Sequence, residues 1–136
     1  MTGAGKGLGR RCAELLASCG ARVIAVARTE ADLESLSAAY PGLIETWVED
    51  VCADSLMNRL AALDTLDGLL NNAGTNRVGP MVERSDDDLD AVLDLNVRSL
   101  YRVSRAALPA LKRSGNAAVV NMSSQMGHVG SPNRTL

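Results

Sequence analysis

Four stretches of this chain carry residue types and spacings that could do chemistry. "TGAGKGLGR", Thr2–Arg10, sets Gly3, Gly5, Gly7 and Gly9 just before a helical pattern. Glycines let a backbone turn tightly and approach a pyrophosphate, whose charge then meets the helix N-terminus. A plain flexible N-terminus is the competing reading. Arg28 closes an apolar run about twenty residues further on, where a dinucleotide site has either an acid for the ribose 2′-hydroxyl or an Arg for a 2′-phosphate. Lys6 in the glycine loop would be a second cation, and a merely solvated arginine is the alternative. Ser123 and Ser124 follow a short apolar run and lead into an irregular loop. Asn96 falls on the apolar stripe formed by Leu89, Val92, Leu93, Leu100, Val103, Ala107 and Leu111. A buried amide without partners costs about 1–3 kcal/mol, so Asn96 is either structural glue or a site residue. His128, the single histidine, lies in a glycine-flanked loop without an orienting acid nearby in sequence, which argues against a general base.

The elements that must position these groups alternate. Leu8, Cys12, Leu15, Leu16 and Cys19 repeat at helical spacing, with Gly20 as a stop. "ARVIAVAR" (21–28) is a buried strand. Thr29 and Asp32 form a cap-like pair opening a helix that Pro41-Gly42 closes. "LIETWVED" (43–50) is a second strand, 54–63 a short helix, and "DGLLNNAG" (67–74) a third strand running into a loop. A long helix starts at Ser85, with Asp86, Asp87 and Asp88 suited to its positive end, and stops at Gly115; Pro109 should kink its last turns. "NAAVVNM" (116–122) is a fourth strand. Strands separated by such helices imply right-handed crossovers, a parallel sheet covered on both faces, and a ligand site at the strands' carboxyl ends. Arg28, Asp50, Asn71–Gly74 and Ser123–Ser124 all lie at such ends.

Composition excludes several classes. The 136 residues are 46% hydrophobic and 22% charged, which suits one α/β domain with an aliphatic core. A net charge of −2 gives no basic surface for nucleic acid. No run approaches the roughly 18 apolar residues of a membrane span. The three cysteines form no CxxC; Cys12 and Cys19 read as buried side chains rather than metal ligands, and no metal is expected. A reducing cytoplasm suits this usage.

TGxxxGxG at Thr2–Gly9, "NNAG" at Asn71–Gly74, Asn96 in "LNVRS" and the serine of "NMSSQ" resemble, in order and spacing, the short-chain dehydrogenase/reductase family. "ARVIAVARTEADLESL" and "VVNMSSQ" further resemble its dicarbonyl/L-xylulose-type carbonyl reductases. The resemblance implies a Rossmann-type doubly wound parallel sheet, incomplete here: residues 1–136 would be a partial NAD(P)-binding domain of a single-domain enzyme, lacking the first strand and the C-terminal third. That first strand is central in the family's sheet, so its absence is expected to split the sheet. The implied cofactor is NADP(H) rather than NAD. Gly3, Gly7 and Gly9, with Leu8 among them, would line the pyrophosphate; Lys6, Arg28 and Thr29 would read the 2′-phosphate; Asp50 and Val51 would hold the adenine; Asn72, Ala73 and Gly74 would pass behind the ribose and nicotinamide. Ser124 would hydrogen-bond a substrate carbonyl oxygen, and Asn96 would hold a water in the proton relay. Counted from Ser124 at the family's usual distance, the resemblance implies a Tyr-x-x-x-Lys directly after Leu136; Tyr40 and Tyr101 do not fit it, since Ile44 and Arg105 stand four residues after them. The implied protein is a cytoplasmic oxidoreductase, a homodimer or homotetramer, that interconverts a small carbonyl and an alcohol. The alternative is an inactive truncated product that at most binds nucleotide or a protein partner.

Overall fold

A computed structural model describes residues 1–134 and Leu136. Its strands form where the short apolar runs stand. β1 (Val23–Ala27) and β2 (Ile44–Val48) pair in parallel, Val23 opposite Ile44 and Ala27 opposite Val48. β3 (Gly68–Asn71) and β4 (Ala118–Asn121) pair likewise, Gly68 opposite Ala118 and Asn71 opposite Asn121. Parallel partners need crossovers, and helices supply them. α1 (Gly7–Ser18) precedes β1, α2 (Glu30–Ala39) joins β1 to β2, and α3 (Asp54–Ala61) leads to β3. α4 (Asp86–Leu93), a π-helical segment (Asp94–Arg98) and α5 (Ser99–Ser114) carry the chain from β3 to β4.

The ladder is divided into two two-stranded sheets, and the division has a stitch. Met1–Ala4 lies between β1 and β3 and bonds to both. The Val26 N–H donates to the Met1 carbonyl at 3.0 Å and the Ala4 N–H to that of Val26 at 3.1 Å, while the Thr2 N–H donates to Leu70 across the seam at 3.0 Å. The expected split is therefore narrower than absence of the whole central strand would give. One core also spans the seam: Val26 and Trp47 pack with Leu56, Leu69 and Val103, while Ala13, Ala17, Leu33 and Leu36 fill the opposite face. Helices cover both faces of the β1–β2 pair, as in a doubly wound Rossmann-type arrangement, whereas β4 is exposed along its length, so the expected cover on both faces does not extend to it.

Three local expectations need correction. α1 forms and stops at Gly20, but its leucine stripe is not the buried one. Gly9, Ala13 and Ala17 face inward, Leu8 and Leu15 are 68% and 64% exposed, Cys19 is exposed and Cys12 half-buried. α1 sits so close to the sheet that only small side chains fit beneath it. Thr29 occupies the cap position of α2 without a side-chain cap bond, so the Thr29–Asp32 cap pair is not made. The long helix opens with a full capping box, Asp88 N–H to Ser85 Oγ at 3.1 Å and Ser85 N–H to Asp88 Oδ2 at 3.4 Å, and stops at Gly115 with φ +76°. The helix continues through Pro109 to Ser114, and a π segment lies around Asn96. There Ser99 Oγ donates to the Leu95 carbonyl at 2.6 Å, a back-bond of the kind that loosens the regular ladder.

Candidate functional site

A cavity of about 700 Å³ opens at the carboxyl ends of β1, β2 and β3. Its walls come from the glycine loop, the residues after each of these strands, and the end of α4 with the π segment. This volume is ordinary for a cofactor site.

The glycine loop and the Asn-Asn-Ala-Gly turn after β3 are built as one piece. Thr2 Oγ1 accepts from the Asn72 and Ala73 N–H groups at 3.0 and 3.1 Å. Asn72 Nδ2 donates back to the Thr2 and Gly3 carbonyls, each at 3.2 Å. Gly9 packs under this junction so closely that a Cβ there would overlap the Gly3 carbonyl oxygen and Asn72 Nδ2. Gly7 has φ +55° and faces open space, so its requirement is conformational rather than steric.

Gly3, Lys6, Arg28 and Thr29 border the cavity, as do Asp50 and Val51 and the turn residues Asn72, Ala73 and Gly74. Five other candidate residues do not line it. Gly7, Leu8 and Gly9 lie in or under the loop, with Leu8 turned outward. Asn96 stands behind Gly74: its Oδ1 accepts from the Thr75 N–H and its Nδ2 donates to the Thr75 carbonyl, both at 2.8 Å. Both ends of the amide thus bond the turn after β3. Ser124 is exposed and accepts from the Met126 N–H at 3.1 Å, apart from the cavity walls.

The walls also include residues that sequence reasoning missed. Asp32 borders the cavity, its Oδ2 3.4 Å from Lys6 Nζ. Glu49 follows β2 and could have been found by its place at a strand end. Its carboxyl is held below the ordinary carboxylate range by the Ser55 hydroxyl at 2.7 Å, joined by Arg59 at 3.3 Å. Burial, with Asp50 beside it, pushes the Cys52 thiol up, so it stays protonated near neutral pH and is a poor nucleophile. Arg77 sits in an aperiodic loop, 3.4 Å from Asp88, and no local signal could have found it. Arg28 makes no ion pair or side-chain hydrogen bond among the described residues, so an exposed cation stands unopposed at the end of β1. Among the described residues no group of three or more His, Cys, Asp or Glu could hold a metal ion, and no helix is long and apolar enough to cross a membrane.

Comparison with known proteins matches this geometry to one family. The family model described as short chain dehydrogenase matches residues 1–136. The chain is 36% identical over 138 residues to carbonyl reductase [NADPH] 2 of Sus scrofa, covering 97% of this chain and 54% of that protein. It is 37% identical to L-xylulose reductase of Homo sapiens, covering 92% and 52%. A crystal structure of a short-chain dehydrogenase from Streptomyces avermitilis superposes with a TM-score of 0.89 at 35% identity, covering 98% of this chain and 51% of that one. The chain spans about half the length of the curated relatives it matches. It belongs to the short-chain dehydrogenase family and, within it, resembles the carbonyl reductases.

Proposed function

We propose that residues 1–136 are the nucleotide-binding part of a single-domain, cytoplasmic NADP(H)-dependent oxidoreductase that interconverts a small carbonyl compound and an alcohol. The observation that carries this reading is the cavity at the strand ends, with unpaired Arg28 on its rim and the glycine loop as its floor. The residues present fit such a cofactor. Backbone of the glycine loop would take the pyrophosphate, Arg28, Lys6 and Thr29 the 2′-phosphate, Asp50 and Val51 the adenine, and Asn72–Gly74 the ribose and nicotinamide side. NADPH, when bound, supplies the hydride. Ser124 would donate a hydrogen bond to the carbonyl oxygen; its hydroxyl only accepts, from Met126, so its own proton is uncommitted. Asn96 holds the Gly74–Thr75 turn in place and, beside it, would order a water for proton delivery.

One observation favours a second reading, in which the chain as it stands binds nucleotide without turnover. A proton donor for the carbonyl oxygen needs a pKa brought toward neutrality, as a Tyr beside a Lys provides. Neither Tyr40 nor Tyr101 borders the cavity. The exposed apolar ridge Leu89, Leu93, Val97, Tyr101 and Leu108 along α4 and α5 supports a homodimer or homotetramer for the active protein.

Steady-state kinetics test the cofactor assignment. In the active protein, kcat/KM with NADPH should exceed that with NADH, and Arg28→Asp should reverse the order by replacing an attraction with a repulsion. A preference for NADH before mutation refutes the assignment. The 136-residue chain alone should oxidise no NADPH with carbonyl substrates.

A further inference from the structure

Resting on the cofactor reading above, we propose that Asp32 is a resident anion in the 2′-phosphate subsite, competing with that phosphate for Lys6 and so limiting discrimination against the unphosphorylated nucleotide. By position, Asp32 belongs to the first turn of α2, where an acid would normally serve the helix itself. Its carboxylate instead crosses to the glycine loop, 3.4 Å from Lys6 Nζ. Gly5 makes room for it: a Cβ on Gly5 would lie 3.5 Å from Asp32 Oδ2 and 3.3 Å from both the Asp32 and Ala27 Cβ atoms. The helix start that carries Asp32 is anchored, since Arg10 Nη1 donates to the Asp32 carbonyl at 3.1 Å and to Ser35 Oγ at 2.8 Å.

The two partners differ in what they can do. Asp32 is 24% exposed at its side chain and held by its helix, whereas Lys6 is 78% exposed and free to swing. An ion pair this exposed adds little to stability. Its consequence falls on an arriving anion instead. Lys6, Arg28 and Asp32 all border the cavity, and Asp32 stands beside one of the two cations assigned to the phosphate. A phosphate must share Lys6 with the carboxylate and tolerate a like charge beside it, while Arg28 meets it unopposed. An unphosphorylated ribose meets neither cost.

Calorimetric titration of the protein with 2′,5′-ADP and 5′-ADP tests this directly. Asp32→Asn should raise the affinity ratio for 2′,5′-ADP over 5′-ADP about three- to fivefold at low ionic strength, the size expected for one exposed charge interaction. The gain should shrink at high salt. Asp32→Ser, also at ease near a helix start, should move the ratio in the same direction, with far-UV circular dichroism checking that both variants fold. In a Lys6→Met background the gain from Asp32→Asn should fall by at least half, which shows that it acts through Lys6. An unchanged or lower ratio in both neutral variants overturns the role of Asp32, even where the unmutated protein prefers 2′,5′-ADP and the cofactor reading stands. If the unmutated protein shows no preference and Asp32→Asn creates one, the role of Asp32 holds and the NADP reading fails. If neither protein discriminates, both are overturned.

Discussion

Gly9 and Asn96 show how single residues shape this site without bordering the cavity. Gly9 lies under the junction of the glycine loop and the Asn72 turn, where no Cβ fits. Gly9→Ala should push the two apart and destabilise the protein by about 1–3 kcal/mol, the usual cost of overpacking. Urea unfolding measures this, and a change under 0.5 kcal/mol would show that the junction yields easily. Asn96 matters through both ends of its amide, since each bonds Thr75. Asn96→Ala should release the Thr75 N–H to solvent, seen as faster hydrogen exchange at that amide, while α5 keeps its protection. If Thr75 exchange is unchanged, something other than Asn96 holds the turn.

At the scale of elements, helix ends and strand ends do most of the positioning. The capping box of Ser85 and Asp88 fixes where α4 begins, and α4 with the π segment forms one cavity wall. Ser85→Ala should cost about 1 kcal/mol through the lost cap. Because Asp88 also faces Arg77 and Arg84 at 3.4 and 3.5 Å, Asp88→Ala should cost more than the cap alone and loosen the Arg77 loop. Thermal melts of the two variants, compared side by side, check the order. Beside the π segment Ser99 bonds back to Leu95, in the same turns from which Asn96 reaches Thr75.

For the molecule as a whole, the backbone stitch of Met1–Ala4 and the core shared by Trp47, Leu69 and Val103 join the two strand pairs. Thr2 is the centre of that stitch, bridging Val26 and accepting from both Asn72 and Ala73. Thr2→Val keeps its shape but leaves two N–H groups without that acceptor, at about 1–3 kcal/mol each where they are buried. The two halves should then melt apart. Trp47 fluorescence, which reports the shared core, should lose coincidence with the far-UV circular dichroism transition, the standard sign that one cooperative unit has divided. Coincident curves of lowered midpoint would mean that the shared core alone couples the halves.

The sequence by itself determined the order and type of the elements, because helical and strand periodicity, caps and stop glycines are local properties. It also determined the motif set, and with it the family and the residues Gly3, Lys6, Arg28, Asp50 and Asn72–Gly74 that meet at one cavity. Tertiary structure decided the rest, for reasons of distance and neighbourhood. The leucine spacing of α1 announces a helix but not which stripe is buried; the close approach of Gly9, Ala13 and Ala17 to the sheet settles that. That the Asn96 amide finds its partner at Thr75, twenty-one positions away, was no local property either. Asp32 looked like a cap partner three residues from Thr29, and became a partner of Lys6 because a half-buried carboxylate pairs with the cation that folding brings near rather than with its neighbours in the chain.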